Sequence, residues 1–279
     1  MRKAILSIVK DEKSYLYDFL KYHSGMGIDV FVFEDYGSES HKDICDKFDN
    51  VYLSTYLELY PKGRRKEITL LRENGRPIKN EMLNQGLKLI KAMNAYDWVF
   101  VIDNDEYITF TEPLDDVLSR YNDYDALLIY WENYGCSGHL YKPLYDKPIY
   151  EIYTEKCGFE IHTDLETSNI CKFVVNMNKY QPEMFFKIHD SDNTNWVKLD
   201  YTKDRSKIVL EPLYLRHFIT KSCQEYIEKL YVRGCFYKAH RNMQSFWDMC
   251  PEYKEQILNN KEFVNFVRLK YNIDLTKKR

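Results

Sequence analysis

Ala4-Ile5-Leu6-Ser7-Ile8-Val9, closed by Lys10-Asp11-Glu12, and Ile28-Asp29-Val30-Phe31-Val32-Phe33, closed by Glu34-Asp35, decide the fold class. Each is a short apolar run that ends in charge, the pattern of a buried strand whose end meets solvent. Between them Leu16, Phe19, Leu20 and His23 recur at i, i+3, i+4 and i+7, one face of a helix, and Gly25 and Gly27 close it. Strand, helix and strand in about 30 residues is a βαβ unit and predicts a parallel sheet.

Working outward, Ile44 and Phe48 fit a short helix and Val51-Tyr52-Leu53 a third strand. Residues 55–77 form a polar connection that includes Gly63-Arg64-Arg65-Lys66; a long loop within a compact domain is usually functional. Ile78, Met82, Leu83, Ile90 and Met93 mark a long amphipathic helix, and residues 97–102 a strand that ends at Asp103-Asn104-Asp105-Glu106. A helix through Leu114, Val117, Leu118 and Tyr121 and a strand over 126–131 follow. Short strands are expected near 170–176, 184–188 and 207–217. Ser222-Cys223-Gln224-Glu225 matches a capping box and opens a helix, and two further helices are expected over 244–271, with Pro251 near a start. The reading is an α/β fold: a doubly wound, mostly parallel, Rossmann-like sheet with a mixed-strand and helical C-terminal extension. A domain over 1–220 has a nucleotide-binding half at 1–131 and an acceptor-side half at 132–220. Residues 221–279 form a helical segment packed on it.

The balance of 40 basic and 43 acidic residues gives no electrostatic case for nucleic-acid binding. The seven cysteines include no Cys-x-x-Cys pair, which disfavours a zinc ribbon or a secreted disulfide framework and favours reduced, buried thiols in a cytoplasmic protein. No run of about 18 apolar residues exists, so membrane contact would be peripheral, at the inner face. The 25 tyrosines suit sugar rings, though a compositional bias of the source accounts for them more simply.

Ligands of such sheets bind beyond the carboxyl ends of the strands, which selects residues 10–12, 34–38, 103–106 and 131–138. Asp103-Asn104-Asp105-Glu106 is the strongest: crowded carboxylates repel unless a cation offsets them, and hard divalent cations take carboxylate and phosphate oxygens. The plainer reading is a solvated acidic turn. Asp35, with Tyr36-Gly37-Ser38, could accept hydrogen bonds from a base or ribose; as a turn starter it is ordinary. Trp131 and Tyr134 could stack on sugars or simply pack, and Glu132 could act as general base. His217 is either a neutral metal ligand or a half-buried structural histidine. Lys221 and Arg233 could pair with phosphate, although a solvated helix face explains Arg233 as well. His189, beside Asp190, is a reserve ligand or base, whereas His23 and His41 show no informative spacing. No P-loop and no Gly-x-Ser-x-Gly elbow is present.

Together, Ile8–Glu12, Leu20–His23, Gly27–Asp29, Phe33–Ser38, Asp103–Ile108, Trp131–Gly138 and the stretch from His217 to Gly234 resemble, in order, the motifs of family 92-type glycosyltransferases and their bacterial relatives in the family 2 clan. Asp11, Tyr36 and Cys136 depart from the family pattern, and the basic insert at 60–77 has no counterpart in it. The resemblance implies a GT-A fold, a UDP-sugar donor with galactose as first guess, Mn²⁺ or Mg²⁺, and inversion at the anomeric carbon. It places the nucleotide sugar against Lys10, Asp11, Glu12, Asp35, Lys79, Asp103, Asn104, Trp131, Lys221 and Arg233. The metal would lie on Asp103, Asp105 and His217, and Glu132 or Asp190 would serve as base. The acceptor would be a glycan or glycolipid, such as surface polysaccharide or lipopolysaccharide. A sugar nucleotidyltransferase and a non-catalytic carbohydrate-binding protein are the competing readings.

Overall fold

The computed structural model describes residues 1–35, 39–60, 62–68, 79–144, 146–158, 171–186, 191–192, 194–198, 210–232 and 242–276. The opening run forms strand β1 (Lys3–Val9), helix α1 (Lys13–Gly25) and strand β2 (Asp29–Glu34). β1 and β2 pair in parallel from Ala4 with Asp29 to Val9 with Glu34, so the predicted βαβ unit is present. α1 buries Tyr15, Leu16, Phe19, Leu20 and His23, one stripe of a 3.6-residue period.

Helix α2 (Lys42–Cys45), strand β3 (Val51–Thr55), helix α3 (Lys79–Met93) and strand β4 (Trp98–Val101) continue the alternation. β3 adds in parallel to β2 and β4 in parallel to β1. The order β3-β2-β1-β4 therefore reverses at β1, which makes the crevice past the ends of β1 and β4 the topological switch point where α/β sheets bind ligands. α3 approaches the sheet closely at Gly86. A Cβ there would come within 2.7 Å of Leu6 Cδ1 and nearer still to the Phe33 ring. A larger residue at this position would have to push those side chains aside.

Beyond β4 come β5 (Glu106–Phe110), α4 (Leu114–Ser119), β6 (Ala126–Asn133), α5 (Ile149–Ile152), β7 (Cys171–Asn176), β8 (Phe185–Phe186), β9 (Ser191–Asp192), β10 (Trp196–Lys198) and β11 (Leu213–His217). The full order is β3-β2-β1-β4-β7-β6-β11-β5, with β10 on β6. β7 runs antiparallel to both β4 and β6, which supplies the mixed extension expected of the α/β fold. Three expectations are corrected. β5 was not foreseen. β6 runs two residues beyond 131, so Glu132 and Asn133 belong to a strand and not to the following loop. Among the described residues, the strands expected near 184–188 and 207–217 begin later, at Phe185 and Leu213, while residues 187–188 and 207–209 lie outside the described residues.

The chain divides into two compact units, Met1–Trp131 with Thr167–Arg216, and Glu132–Glu166 with His217–Arg279. In the second, α6 (Cys223–Ile227) opens with the predicted capping box: Ser222 Oγ accepts from Glu225 N at 3.2 Å, and Glu225 Oε2 accepts from Ser222 N at 3.3 Å. A π-helical turn (Glu228–Val232), α7 (Met243–Met249), a 3₁₀ turn (Pro251–Tyr253), α8 (Lys254–Asn259) and α9 (Lys261–Tyr271) follow. Three helices thus stand where two were expected. The added break falls at Asn260, whose side chain caps α9 by accepting from Phe263 N at 2.9 Å. Tyr226, Phe246, Trp247, Ile257, Phe263 and Val267 form this unit's core. No described helix is long and apolar enough to cross a membrane.

Candidate functional site

The acidic run after β4 folds as a tight turn closed at both ends by its own residues. Glu106 N donates to Asp103 O at 3.0 Å, and Asp103 N donates to Glu106 Oε2 at 2.9 Å. The turn is flanked by lysines. Lys79 Nζ, at the start of α3, lies 2.6 Å from Asp103 Oδ1, and Lys172 Nζ, on β7, lies 2.7 Å from Asp103 Oδ2. Lys172 also stands 3.5 Å from Glu106 Oε1. Burial opposes the Asp103 charge, but the two ammonium groups outweigh it and hold its carboxyl well below the usual range. Burial likewise works against the Lys172 ammonium, and Asp103 and Glu106 reverse the balance and raise its pKa. Glu106 is fully buried, and desolvation pushes its carboxyl up to about 8 despite the nearby lysine.

This charge arrangement sorts the expected metal ligands. Both oxygens of Asp103 are already paired with lysines, so a cation reaches Asp103 only by displacing one of them. Asp105 is buried, and its carboxylate lies within 4.8 Å of that of Glu106. Glu106 Oε1 and Asn104 Nδ2 are buried and have no hydrogen-bond partner among the described residues, a condition that costs free energy unless a ligand satisfies it. Two close carboxyl groups, one of them raised by burial, are a donor set that fits a hard cation once the cation displaces the Glu106 proton. The adjoining pocket is lined by Leu6, Ile8, Leu83 and Val101 below and by Lys79, Asp103 and Lys172 at its polar end. Trp131 is buried, with Lys172 Nζ 5.7 Å from its ring centroid.

Tyr22 and His23 hold this turn from behind. Tyr22 OH donates to Ile108 O at 2.9 Å, and Ile108 N donates to His23 Nε2 at 3.2 Å. His23 Nδ1 faces Phe19 O at 2.9 Å, so the proton resides on Nδ1 and the ring is neutral. Full burial is the main cause that pushes its pKa down to about 3. Both polar groups of one β5 residue are therefore fixed by consecutive residues of α1.

At the ends of β1 and β2, Lys10 is exposed, while Asp11 takes a left-handed backbone conformation and accepts from Glu39 N at 3.0 Å. Glu12 N donates to His41 Nε2 at 3.2 Å, and His41 Nδ1 pairs with Glu34 Oε1 at 2.9 Å. His41, fully buried, thus ties the loop after β1 to the end of β2. Asp35 N bonds Val9 O at 2.8 Å. Sequence spacing gave His23 only a place on the helix face and His41 none, because Ile108 and Glu12, which they hold, lie 85 and 29 residues away along the chain.

In the second unit, Glu132 is already engaged. Lys156 Nζ lies 2.5 Å from Oε1, and Tyr134 OH donates to Oε2 at 2.8 Å. His217 is buried, and its Nδ1 lies 3.1 Å from Asn133 Oδ1. Lys221 is buried with a left-handed backbone. Asp190, Arg233, His189, Tyr36-Gly37-Ser38 and most of the 60–77 insert lie outside the described residues.

No family model matches the chain, and no curated protein matches it. Among solved structures it is similar to A197 from STIV, at 14% identity over 78% of this chain and 86% of that one, with a TM-score of 0.35. It is also similar to HddC from Yersinia pseudotuberculosis, at 10% identity over 71% and 90%, with a TM-score of 0.36. The bifunctional IspDF from Campylobacter jejuni matches at 11% identity over 72% and 50%, with a TM-score of 0.35. At these scores the likenesses assign neither family nor activity.

Proposed function

We propose that the chain is a cation-dependent glycosyltransferase that moves a hexose, galactose first, from a UDP-sugar to a hydroxyl of a glycan or glycolipid acceptor, with inversion. The observation that supports this most is the lysine-flanked acidic turn at the switch point of a parallel sheet. A diphosphate brings negative charge that Lys79 can take over from Asp103, and Lys172 reinforces it from within the sheet. Asp105 and Glu106 then offer oxygens to Mn²⁺ or Mg²⁺, and Asp103 joins them as Lys79 leaves. His217 is the further ligand expected from the sequence motif. The cation, when bound, neutralises charge on the departing diphosphate. Asp11 and Asp35 hold the uridine; Lys221 and Arg233 add positive charge. Glu132 serves as base only once Lys156 withdraws, and Asp190 is the alternative.

The paired lysines also favour a second reading, a sugar nucleotidyltransferase. The loop after β1 has no glycine and a single cation, Lys10, too little to bind a triphosphate, but Lys79 and Lys172 bring two cations to the switch point from elsewhere. Product analysis separates the two. With UDP-galactose and Mn²⁺, the first reading expects slow release of UDP and free hexose even without acceptor. With UTP and hexose 1-phosphate, the second expects pyrophosphate. Formation of pyrophosphate and no UDP would overturn the glycosyltransferase reading.

A further inference from the structure

The second unit gathers thiols from distant parts of the sequence. Cys136, Cys223 and Cys250 are fully buried in its core, and Cys157 is half-buried at the edge. Cys250, at the C-terminal end of α7, is the centre. Its sulfur accepts from Cys136 N at 3.5 Å, and the thiols of Cys136 and Cys157 face it. Gly135 makes room for this meeting: a Cβ there would come 2.9 Å from Cys250 Sγ and 3.1 Å from Cys157 Cβ. Cys157 is fixed opposite, because Cys157 N donates to Asn133 O and Gly135 N to Glu155 O, both at 2.9 Å, around the Tyr134–Lys156 bridge.

We propose that Cys157 and Cys250 form a reversible disulfide by exchange with a low-molecular-weight disulfide. Both sulfurs lie against the same point beside Gly135, 2.9 Å (Cys250) and 3.8 Å (Cys157) from where a Cβ would stand, so little backbone movement is needed to join them. The hydrogen-bond donors around Cys250 favour its thiolate, while donation to Cys250, with burial, pushes the Cys136 and Cys157 thiols up. Access selects the entry point, since Cys157 alone of the three reaches solvent. The Cys250 thiolate takes the Cys157 proton as the Cys157 sulfur attacks the reagent RSSR and displaces one RS⁻, which is protonated by water. The Cys250 sulfur then attacks the Cys157 sulfur of the mixed disulfide and displaces the second RS⁻, which takes the Cys250 proton. Two protein thiols are oxidised, one RSSR is reduced to two RSH, and one S–S bond joins the loop before β7 to the end of α7.

The test is treatment of the whole folded chain with oxidised glutathione, alkylation of remaining thiols, and peptide mapping by mass spectrometry with and without later reduction. The expected result is a linked pair of peptides containing Cys157 and Cys250, lost on reduction, with Cys45 and Cys171 alkylated only after unfolding. A Cys250→Ser variant should stop at glutathione on Cys157, and a Cys136→Ser variant should still form the Cys157–Cys250 link. Glutathione retained on Cys157 of the unaltered chain, or no reaction at Cys157 in the folded protein, would overturn the proposal. The map needs no activity, so its outcome is separate from that of the transferase reading.

Discussion

Lys172 Nζ lies 2.7 Å from Asp103 Oδ2 while its own side chain is only 3% exposed. A buried ammonium on β7 therefore sets the charge of the carboxylate at the end of β4, 69 residues earlier. Removal of one partner of a buried pair leaves the other charge uncompensated, whereas an exposed partner contributes little. Lys172→Met is expected to lose about 3–5 kcal/mol of unfolding free energy in urea titration. Lys79→Met, at the more exposed end of the same carboxylate, is expected to lose about 1 kcal/mol or less. Addition of Asp103→Asn to Lys172→Met should restore part of the loss. Equal effects of the two lysine substitutions would show that the asymmetry of burial has no energetic weight.

His23 gives the fold a pH dependence whose sign follows from its neutral state. Its pKa falls from 6.5 to about 3 on folding. Between those values the unfolded chain binds a proton that the folded chain excludes. The stability linked to His23 is full above pH 6.5 and falls as pH drops towards 3, by up to about 1.4 kcal/mol per pH unit. In His23→Gln this part of the slope should vanish, so the difference in stability between the two proteins should shrink as pH is lowered from 7 to 5. Parallel curves for the two proteins would contradict the buried, neutral assignment.

Gly86 sets how closely α3 lies on β1 and β2. Gly86→Ala forces the Leu6 and Phe33 side chains aside and is expected to cost about 1–3 kcal/mol, read as a lower melting temperature. Gly63→Ala is the control, since nothing among the described residues lies within 4 Å of a Cβ there, and it should leave the melting temperature nearly unchanged.

The parts of this fold that could be read in the sequence are those encoded within a few residues. The runs at 4–9 and 28–33 carry the strand signal, Leu16 to His23 the helix period, and Ser222 to Glu225 the cap, and each appears where expected. The acidic turn was legible because it follows a buried strand. β5 was not, since its first residue, Glu106, reads as part of that turn and the remaining run is too short to establish a period. Lys172 was also hidden, because a lysine inside an apolar strand reads as an exposed edge residue until its partners Asp103 and Glu106 are known. Tyr22 and His23 fell within a motif, yet their action on the Ile108 backbone depends on which strand α1 packs against. No local pattern records that.

The most direct test of the central claim is the melting temperature of the chain with UDP, GDP and CMP, each with and without Mn²⁺, compared with Asp105→Asn. A ligand that binds only the folded state stabilises by mass action, about 2.7 kcal/mol at a hundredfold excess over Kd. A cation-dependent diphosphate site at the end of β4 predicts that UDP raises the melting temperature only when Mn²⁺ is present, and that Asp105→Asn abolishes the rise. A shift that is the same without Mn²⁺, or that survives in Asp105→Asn, would contradict it.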